Sequence, residues 1–190
     1  MTKENALSGT RLHLGCGAKI IRNRINIDAI PQSPDVVVDD VMTLETVEDG
    51  SVSEIYACHV LEHFGRREIE QVLETWFRKL SPGGLIRISV PDIEKVLEQY
   101  AEGTPLAVLM GFLYGGQRNE YDYHKIGFDF RSLRTALETA GFVAVRRYNW
   151  RETDHSDVDD YSQAYLPHMD KENGMLMSLN VEASKPAANP

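Results

Sequence analysis

Arg11-Leu12-His13-Leu14-Gly15-Cys16-Gly17-Ala18-Lys19 is the stretch on which the fold turns. Residues 11–14 (RLHL) read as a strand. Gly15-Cys16-Gly17 reads as the tight loop that ends it, because glycines straight after a strand let the backbone approach a ligand closely. Neither common phosphate-binding loop fits. The dinucleotide fingerprint needs a third glycine where Ile20 stands, and the P-loop needs Ser or Thr, not Ile20, after its lysine. A Gly-x-Gly exit serves a plain tight turn as well as a ligand loop, so its surroundings must decide.

Downstream, residues 24–28 (RINID) alternate like a strand, and residues 35–39 (DVVVD) form a β-branched run expected to be a buried strand. Residues 53–58 (SEIYAC) follow as another. Residues 66–80 predict a helix with Ile69, Val72, Leu73, Trp76, Phe77 and Leu80 on one face, stopped by Ser81-Pro82-Gly83-Gly84. Residues 85–90 (LIRISV) return to a strand, and Asp92 can cap a helix running to about Tyr100. Asp129 can cap a further helix, with Leu133, Ala136, Leu137 and Ala140 inward and Gly141 as its stop. Residues 142–148 and 175–183 read as the last strands. Strands alternating with helices imply an α/β fold with a parallel sheet. Its ligand belongs outside the carboxyl ends of the strands, at residues 15–19, Asp28, Asp39, Asp40, residues 58–63, Pro91 and Asp92. The step from Gly17 to Arg24 is shorter than the roughly dozen residues a helical crossover needs, so the first helix is vestigial.

Composition sets the outer bounds. The chain has 190 residues, a formal net charge of -9, 42% hydrophobic and 26% charged residues, and two cysteines. This suits a single globular domain, here residues 1–184 with a tail at 185–190, whose core needs no disulfide or structural metal. The acidic balance argues against a general nucleic-acid binder. Cys16 and Cys58 are too few for a disulfide framework or a four-cysteine zinc site. Residues 1–10 are polar and lack the apolar core of a signal peptide. The longest apolar stretch, residues 107–114, falls far short of the roughly 20 that span a bilayer. These features lead to an expectation of a cytoplasmic protein with no membrane span.

A series of motifs in order now carries a resemblance. Leu14-Gly15-Cys16-Gly17 with Asn26-Ile27-Asp28 resembles the first two motifs of class I S-adenosylmethionine-dependent methyltransferases. Residues 54–64 (EIYACHVLEHF) resemble the segment after their fourth strand, Ser81-Pro82-Gly83-Gly84 the turn into their fifth, and Ala140-Gly141-Phe142 a later strand entry. The short first crossover, Gly115-Gly116-Gln117, His124 and residues 178–183 (SLNVEA) are similar to a small bacterial subgroup of type 11-like predicted methyltransferases. The resemblance implies a Rossmann-like sheet of seven strands with the last one antiparallel, and S-adenosylmethionine as cofactor. It implies that Gly15, Cys16 and Gly17 face the methionine part, Asp28 the ribose, Asp40 and Val41 the adenine, and His59 the methyl end. Asp39 is an alternative to Asp28. The family often has an acid where His13 stands, so residue 13 is not assigned to the cofactor's amino group.

The function expected is methyl transfer to a small-molecule or sugar-type acceptor, on oxygen or nitrogen, with a homodimer allowed. His59 and His124 are the candidates for a catalytic base or positioning group, since an imidazole titrates near working pH. Residues 103–128 would form the substrate insertion, with Met110, Phe112, Leu113 and Tyr114 as an apolar lid and Gly115-Gly116-Gln117 as a hinge or backbone contact. Competing signals are weaker. His59-Val60-Leu61-Glu62-His63 spells a zinc-protease signature, but the methyltransferase motif accounts for it and no metal is assigned. Tyr121 and Lys125 match the Y-x-x-x-K pair of short-chain NAD(P)-dependent oxidoreductases, without a nucleotide fingerprint beside them. Asp154, His155, Asp157, Asp159 and Asp160 crowd one loop without the spacing of a calcium site. A noncatalytic cofactor-binding partner subunit is the other alternative, resting on His13.

Overall fold

Seven strands form one sheet in the order β3-β2-β1-β4-β5-β9-β6. In chain order the elements of this computed structural model are β1 (Thr10–Leu14), β2 (Ile25–Asp28), β3 (Val36–Val38), β4 (Val52–Cys58), α1 (Ile69–Lys79), β5 (Leu80–Pro91), α2 (Ile93–Ala101), α3 (Leu106–Tyr114), α4 (Phe130–Thr139), β6 (Val143–Arg147), β7 (Tyr165–Leu166), β8 (Met175–Leu176) and β9 (Ser178–Ser184). The structure describes residues 9–188, so most of the polar segment 1–10 and the end of the tail lie outside it. Strands β1 to β5 pair in parallel, and β9 runs antiparallel to both β5 and β6. This is the expected α/β, Rossmann-like sheet with its antiparallel last strand.

Burial explains the middle of the sheet. Every residue of β4 is buried, as a strand covered on both faces must be. Leu12, Leu14, Ile55, Ile86, Ile88 and Val181 pack with Val72, Leu73 and Trp76 of α1 and Leu133 and Leu137 of α4 into one core. Trp76 Nε1 also donates to Val41 O at 2.8 Å, fixing the segment after β3 against α1. Asp92 caps α2 through the Glu94 amide, and Asp129 and Ser132 cap α4 reciprocally. Gly141 follows α4 at φ +97°, the left-handed stop expected of it.

Four expectations need correction. Residues 35–39 give an edge strand, with Val37 and Val38 exposed at 41% and 54%. A β-branched run reports strand preference but not whether a helix covers it. Helix α1 starts at Ile69, and Ser81-Pro82-Gly83-Gly84 lies inside β5 as an irregularity between the Val52–Leu80 and Glu54–Leu85 pairings. Residues 175–183 break at Met177 into β8, which pairs with β7, and β9, which joins the main sheet beside β5. No helix at all separates β1 from β2, which is the vestigial crossover taken to its limit.

Two excursions leave the sheet. The first is α3 and the irregular residues 115–128, with Leu109 packed on Val96 and Met177. The second runs from β6 to β9, and Asp154 ties it down by accepting from Arg11 at 2.7 Å and Arg24 at 3.0 Å. Both return to the carboxyl ends of the strands. Among the described residues no helix is long and apolar enough to cross a membrane.

Candidate active site

A cleft of about 1190 Å³ opens at the carboxyl ends of β1, β2, β4 and β5. Small-molecule pockets typically measure roughly 300–1,000 Å³, so this cleft is larger than a pocket for one such ligand needs to be. It brings together every cofactor residue expected from sequence, namely Gly15, Cys16, Gly17, Asp28, Asp40, Val41 and His59, and both candidate bases, His59 and His124.

The glycine turn is required on two counts. Gly15 and Gly17 sit at φ +61° and +52°, and a Cβ at Gly15 would run into the Val60 side chain. At Gly17 the nearest atom to such a Cβ, Gln32 Nε2, is 3.9 Å away, so its surface is open to a ligand. The turn is stitched to the end of β2. Cys16 N donates to Ile27 O at 3.2 Å, and Gly17 N donates to Asp28 Oδ2 at 2.8 Å. Asp28 Oδ1 accepts from Ile30 N at 2.9 Å. Each carboxylate oxygen keeps a further lone-pair site for a ligand hydroxyl. The Cys16 side chain is buried, and burial pushes its thiol up to about 12, so it is no nucleophile. Asp39 is committed to Thr46, whose amide and hydroxyl donate to Oδ2 at 2.9 and 2.6 Å. Asp40 accepts only locally, from Met42 N at 2.8 Å, and sits beside Val41.

The opposite end is lined by imidazoles. His59 follows β4 at φ +54°, a left-handed backbone uncommon for a residue with a side chain. Its Nε2 is 3.0 Å from Ser178 Oγ, which itself donates to Tyr161 O, so Nε2 carries the proton and Nδ1 is bare. Burial lowers the His59 imidazole to about 3, keeping it neutral. His63 Nδ1 donates to Tyr123 O at 3.1 Å, and His124 Nδ1 donates to Phe112 O at 3.0 Å. A carbonyl can only accept, so both rings carry Nδ1–H and leave Nε2 bare. Beneath them lies Glu62, 1% exposed, with no hydrogen-bond partner on either carboxylate oxygen. Burial pushes its carboxyl up to about 8.

The excursions build this end. Lys125 N and Ile126 N both donate to Glu62 O, at 2.8 and 3.4 Å, which holds His124 over the turn after β4. Gly115, at φ +75°, and Gly116 allow the chain to close on Asp122; a Cβ on either would strike it. Close approach accounts for this glycine pair without a hinge. Of the expected lid residues, Phe112 lines the cleft, while Met110 and Tyr114 are exposed at 42% and 49%. Tyr121 and Lys125 lie in irregular chain, not one turn apart on a helix as an oxidoreductase pair would be.

Three residues matter more than the sequence reading allowed. Glu62 and His63 were visible in the H-x-x-E-H spelling but had no role apart from it. Asp160 was grouped with the acidic loop, which the fold disperses: Asp154 goes to Arg11 and Arg24, Asp159 to Lys171 at 2.9 Å, and Asp160 into the cleft. Tyr56 OH donates to Asp160 Oδ2 at 2.7 Å, and Ser162 N and Oγ donate to Oδ1 at 2.9 and 2.6 Å, so the capacity of Asp160 for a ligand is on Oδ2. The signal for Asp160 was His13, whose ring is turned to Asn26 Oδ1 at 3.0 Å and stacked on Tyr56 at 5.3 Å.

Comparison with known proteins agrees with this geometry. A family model described as "Methyltransferase domain" matches residues 18–88. No curated protein matches the chain by sequence. Among solved structures, an S-adenosylmethionine-dependent methyltransferase from Methanosarcina mazei superposes with a TM-score of 0.60 at 15% identity, over 95% of this chain and 94% of that one. Another from Archaeoglobus fulgidus gives 0.57 at 15% identity, over 94% and 87%. A methyltransferase from Haloferax volcanii, solved with its Trm112 activator, gives 0.56 at 15% identity, over 94% and 83%. The likeness to these structures is one of fold, and the family match covers the part of it from the glycine turn into β5. With that domain match inside a sheet of this order, residues 18–88 are similar to the methyltransferase domain family, and the chain as a whole has the fold of these S-adenosylmethionine-dependent methyltransferases.

Proposed function

We propose that the cleft binds S-adenosylmethionine along the Gly15–Gly17 turn and that the chain moves its methyl group to a small hydroxyl- or amine-bearing acceptor, sugar-type molecules included. The observation that carries the reading is the Asp28 carboxylate, locked between Gly17 N and Ile30 N with lone pairs to spare beside an open glycine surface. Preorganised in this way, it can receive two ribose hydroxyls without first being ordered. Asp40 and Val41 flank the adenine end, with exposed Val38 of the edge strand as apolar wall. Asp160 takes the place of the acid missing at His13 and receives the cofactor's amino group.

The bound cofactor supplies a methyl group already activated on a sulfonium, so the protein's work is alignment, water exclusion and control of one proton. His59 and His124 stand at the acceptor end as neutral imidazoles, and α3 with residues 115–128 forms the acceptor wall. The loss of an acid at His13 no longer favours a noncatalytic subunit, because Asp160 supplies a carboxylate to the same cleft.

Calorimetric titration with S-adenosylhomocysteine tests the cofactor half, with one site per chain expected; absence of binding overturns the reading. Transfer of isotopically labelled methyl across a panel of small alcohols, sugars and amines tests the other half. Labelling of protein or nucleic acid alone would sink the small-acceptor assignment.

A further inference from the structure

We infer that Glu62, His63 and His124 form a binding site for one divalent transition-metal ion at the acceptor end of the cleft. The methyltransferase motif accounts for the H-x-x-E-H spelling without a metal, and a third ligand would have to come from far downstream. The fold supplies one from elsewhere: His124, carried in by the chain that hydrogen-bonds to Glu62 O.

Three observations converge. First, the ligand atoms of Glu62, His63 and His124 lie within 4.8 Å of one another, and His124 Nε2 is 3.8 Å from Glu62 Oε1. Atoms bound tetrahedrally at about 2.1 Å from an ion are about 3.4 Å apart. Closure by up to about 1.4 Å brings the three ligand atoms to that spacing. Second, both histidines donate Nδ1–H to a backbone carbonyl, at 3.1 and 3.0 Å, which leaves Nε2 bare. An outer hydrogen bond that fixes tautomer and ring plane is the support that metal-binding histidines need. Third, the Glu62 carboxylate is buried with neither oxygen hydrogen-bonded. Its nearest polar neighbour, His59 Nδ1 at 3.2 Å, presents a lone pair and no proton. In its ionised form this buried carboxylate faces only imidazole lone pairs and has no partner among these side chains. A cation satisfies all of these groups at once.

Two imidazoles and one carboxylate suit Zn²⁺, Co²⁺, Fe²⁺ or Mn²⁺ better than Ca²⁺ or Mg²⁺, which take mostly oxygen ligands. Three protein ligands leave a position open, and His63 and His124 line the cleft, so that position can accept an acceptor hydroxyl or amine. The ion would then lower the acceptor's pKa, and His124 would act on the acceptor through it. The site stands on its own residues whether or not the cofactor assignment holds.

The test is a titration of the chelator-stripped full chain with Zn²⁺ and with Mn²⁺, in the absence of cofactor, followed by calorimetry and elemental analysis. One ion per chain is expected, with a rise in Tm. Glu62→Gln, His63→Ala and His124→Ala should each weaken binding at least tenfold, with circular dichroism reporting that each variant is folded. Failure of the unaltered chain to take up either ion overturns the site. So does undiminished binding in the folded His63→Ala/His124→Ala double variant, which would place the ion on other residues.

Discussion

Asp28 Oδ2 accepts the Gly17 amide at 2.8 Å, so the carboxylate at the end of β2 and the glycine turn at the end of β1 form one unit. The two residues are brought together by parallel pairing of β1 and β2, with Leu14 opposite Ile27. Removing the carboxylate therefore loosens the turn as well as deleting a ligand contact. Asp28→Ala is expected to weaken S-adenosylhomocysteine binding at least tenfold, equivalent to about 1.4 kcal/mol. It should also lower folding stability by about 2 kcal/mol, since two hydrogen bonds to a charged acceptor are lost. Calorimetry and urea unfolding read the two effects separately. Unchanged affinity would move the ribose contact to Asp40, because Asp39 is taken up by Thr46.

Asp160 makes a prediction that depends on which part of the ligand is present. If it receives the amino group, Asp160→Ala should weaken S-adenosylhomocysteine about tenfold. Binding of 5′-methylthioadenosine, which lacks that group, should stay within about twofold, because a charged hydrogen bond is lost only where its partner exists. Equal losses for both ligands would mean that Asp160 serves only to hold Tyr56 and the loop.

At the amino ends of the strands, Glu54 carries a structural burden. It is 1% exposed and accepts from Arg11 Nε at 2.7 Å, Arg24 Nη2 at 2.8 Å and Arg87 Nη1 at 3.2 Å. Glu54→Gln leaves three cations facing a neutral group, and the Arg24 side chain is wholly buried. Breaking a buried ion pair from one side typically costs about 3–5 kcal/mol. A loss of that order is expected in denaturant unfolding, and a loss below about 1 kcal/mol would show that water reaches the network.

The glycine-turn end of the cleft was legible because it depends on local chemistry. Gly15 and Gly17 must be glycine for steric reasons, and Asp28 must follow a strand, so residue type and order were enough. The acceptor half was not. His124 and Glu62 meet only because Lys125 and Ile126 hydrogen-bond across 60-odd residues of chain to the turn after β4. Asp160 reaches the cleft in a loop held by Asp154 on Arg11 and Arg24, by Tyr56 OH on Asp160 and by Ser178 and Asn180 on Tyr161 O and Ser162 O. Such long-range contacts leave no periodicity to read. Gly115 and Gly116 could be read as a hinge or a backbone contact, and only the structure shows their close approach to Asp122.

His13 ties the fold's stability to pH. Burial lowers its imidazole to about 4, against the ordinary 6.5. The ring packs on Tyr56, with Asp160 favouring its protonated form and Arg24 and His155 opposing it. The folded-state value is depressed for a base, so below pH 6.5 the unfolded chain binds a proton that the folded chain refuses. Stability therefore falls as pH drops from about 6.5 to about 4 and levels off below that. A gap of about 2.5 between the two values, at about 1.4 kcal/mol for each, sets an upper scale of about 3 kcal/mol. His13→Gln keeps a side-chain amide to donate to Asn26 Oδ1 and removes the titration. Unfolding free energies from pH 4 to 7 should show a shallower acid slope in this variant than in the unaltered chain. Identical slopes would mean that His13 takes up its proton in the folded state as readily as in the unfolded one.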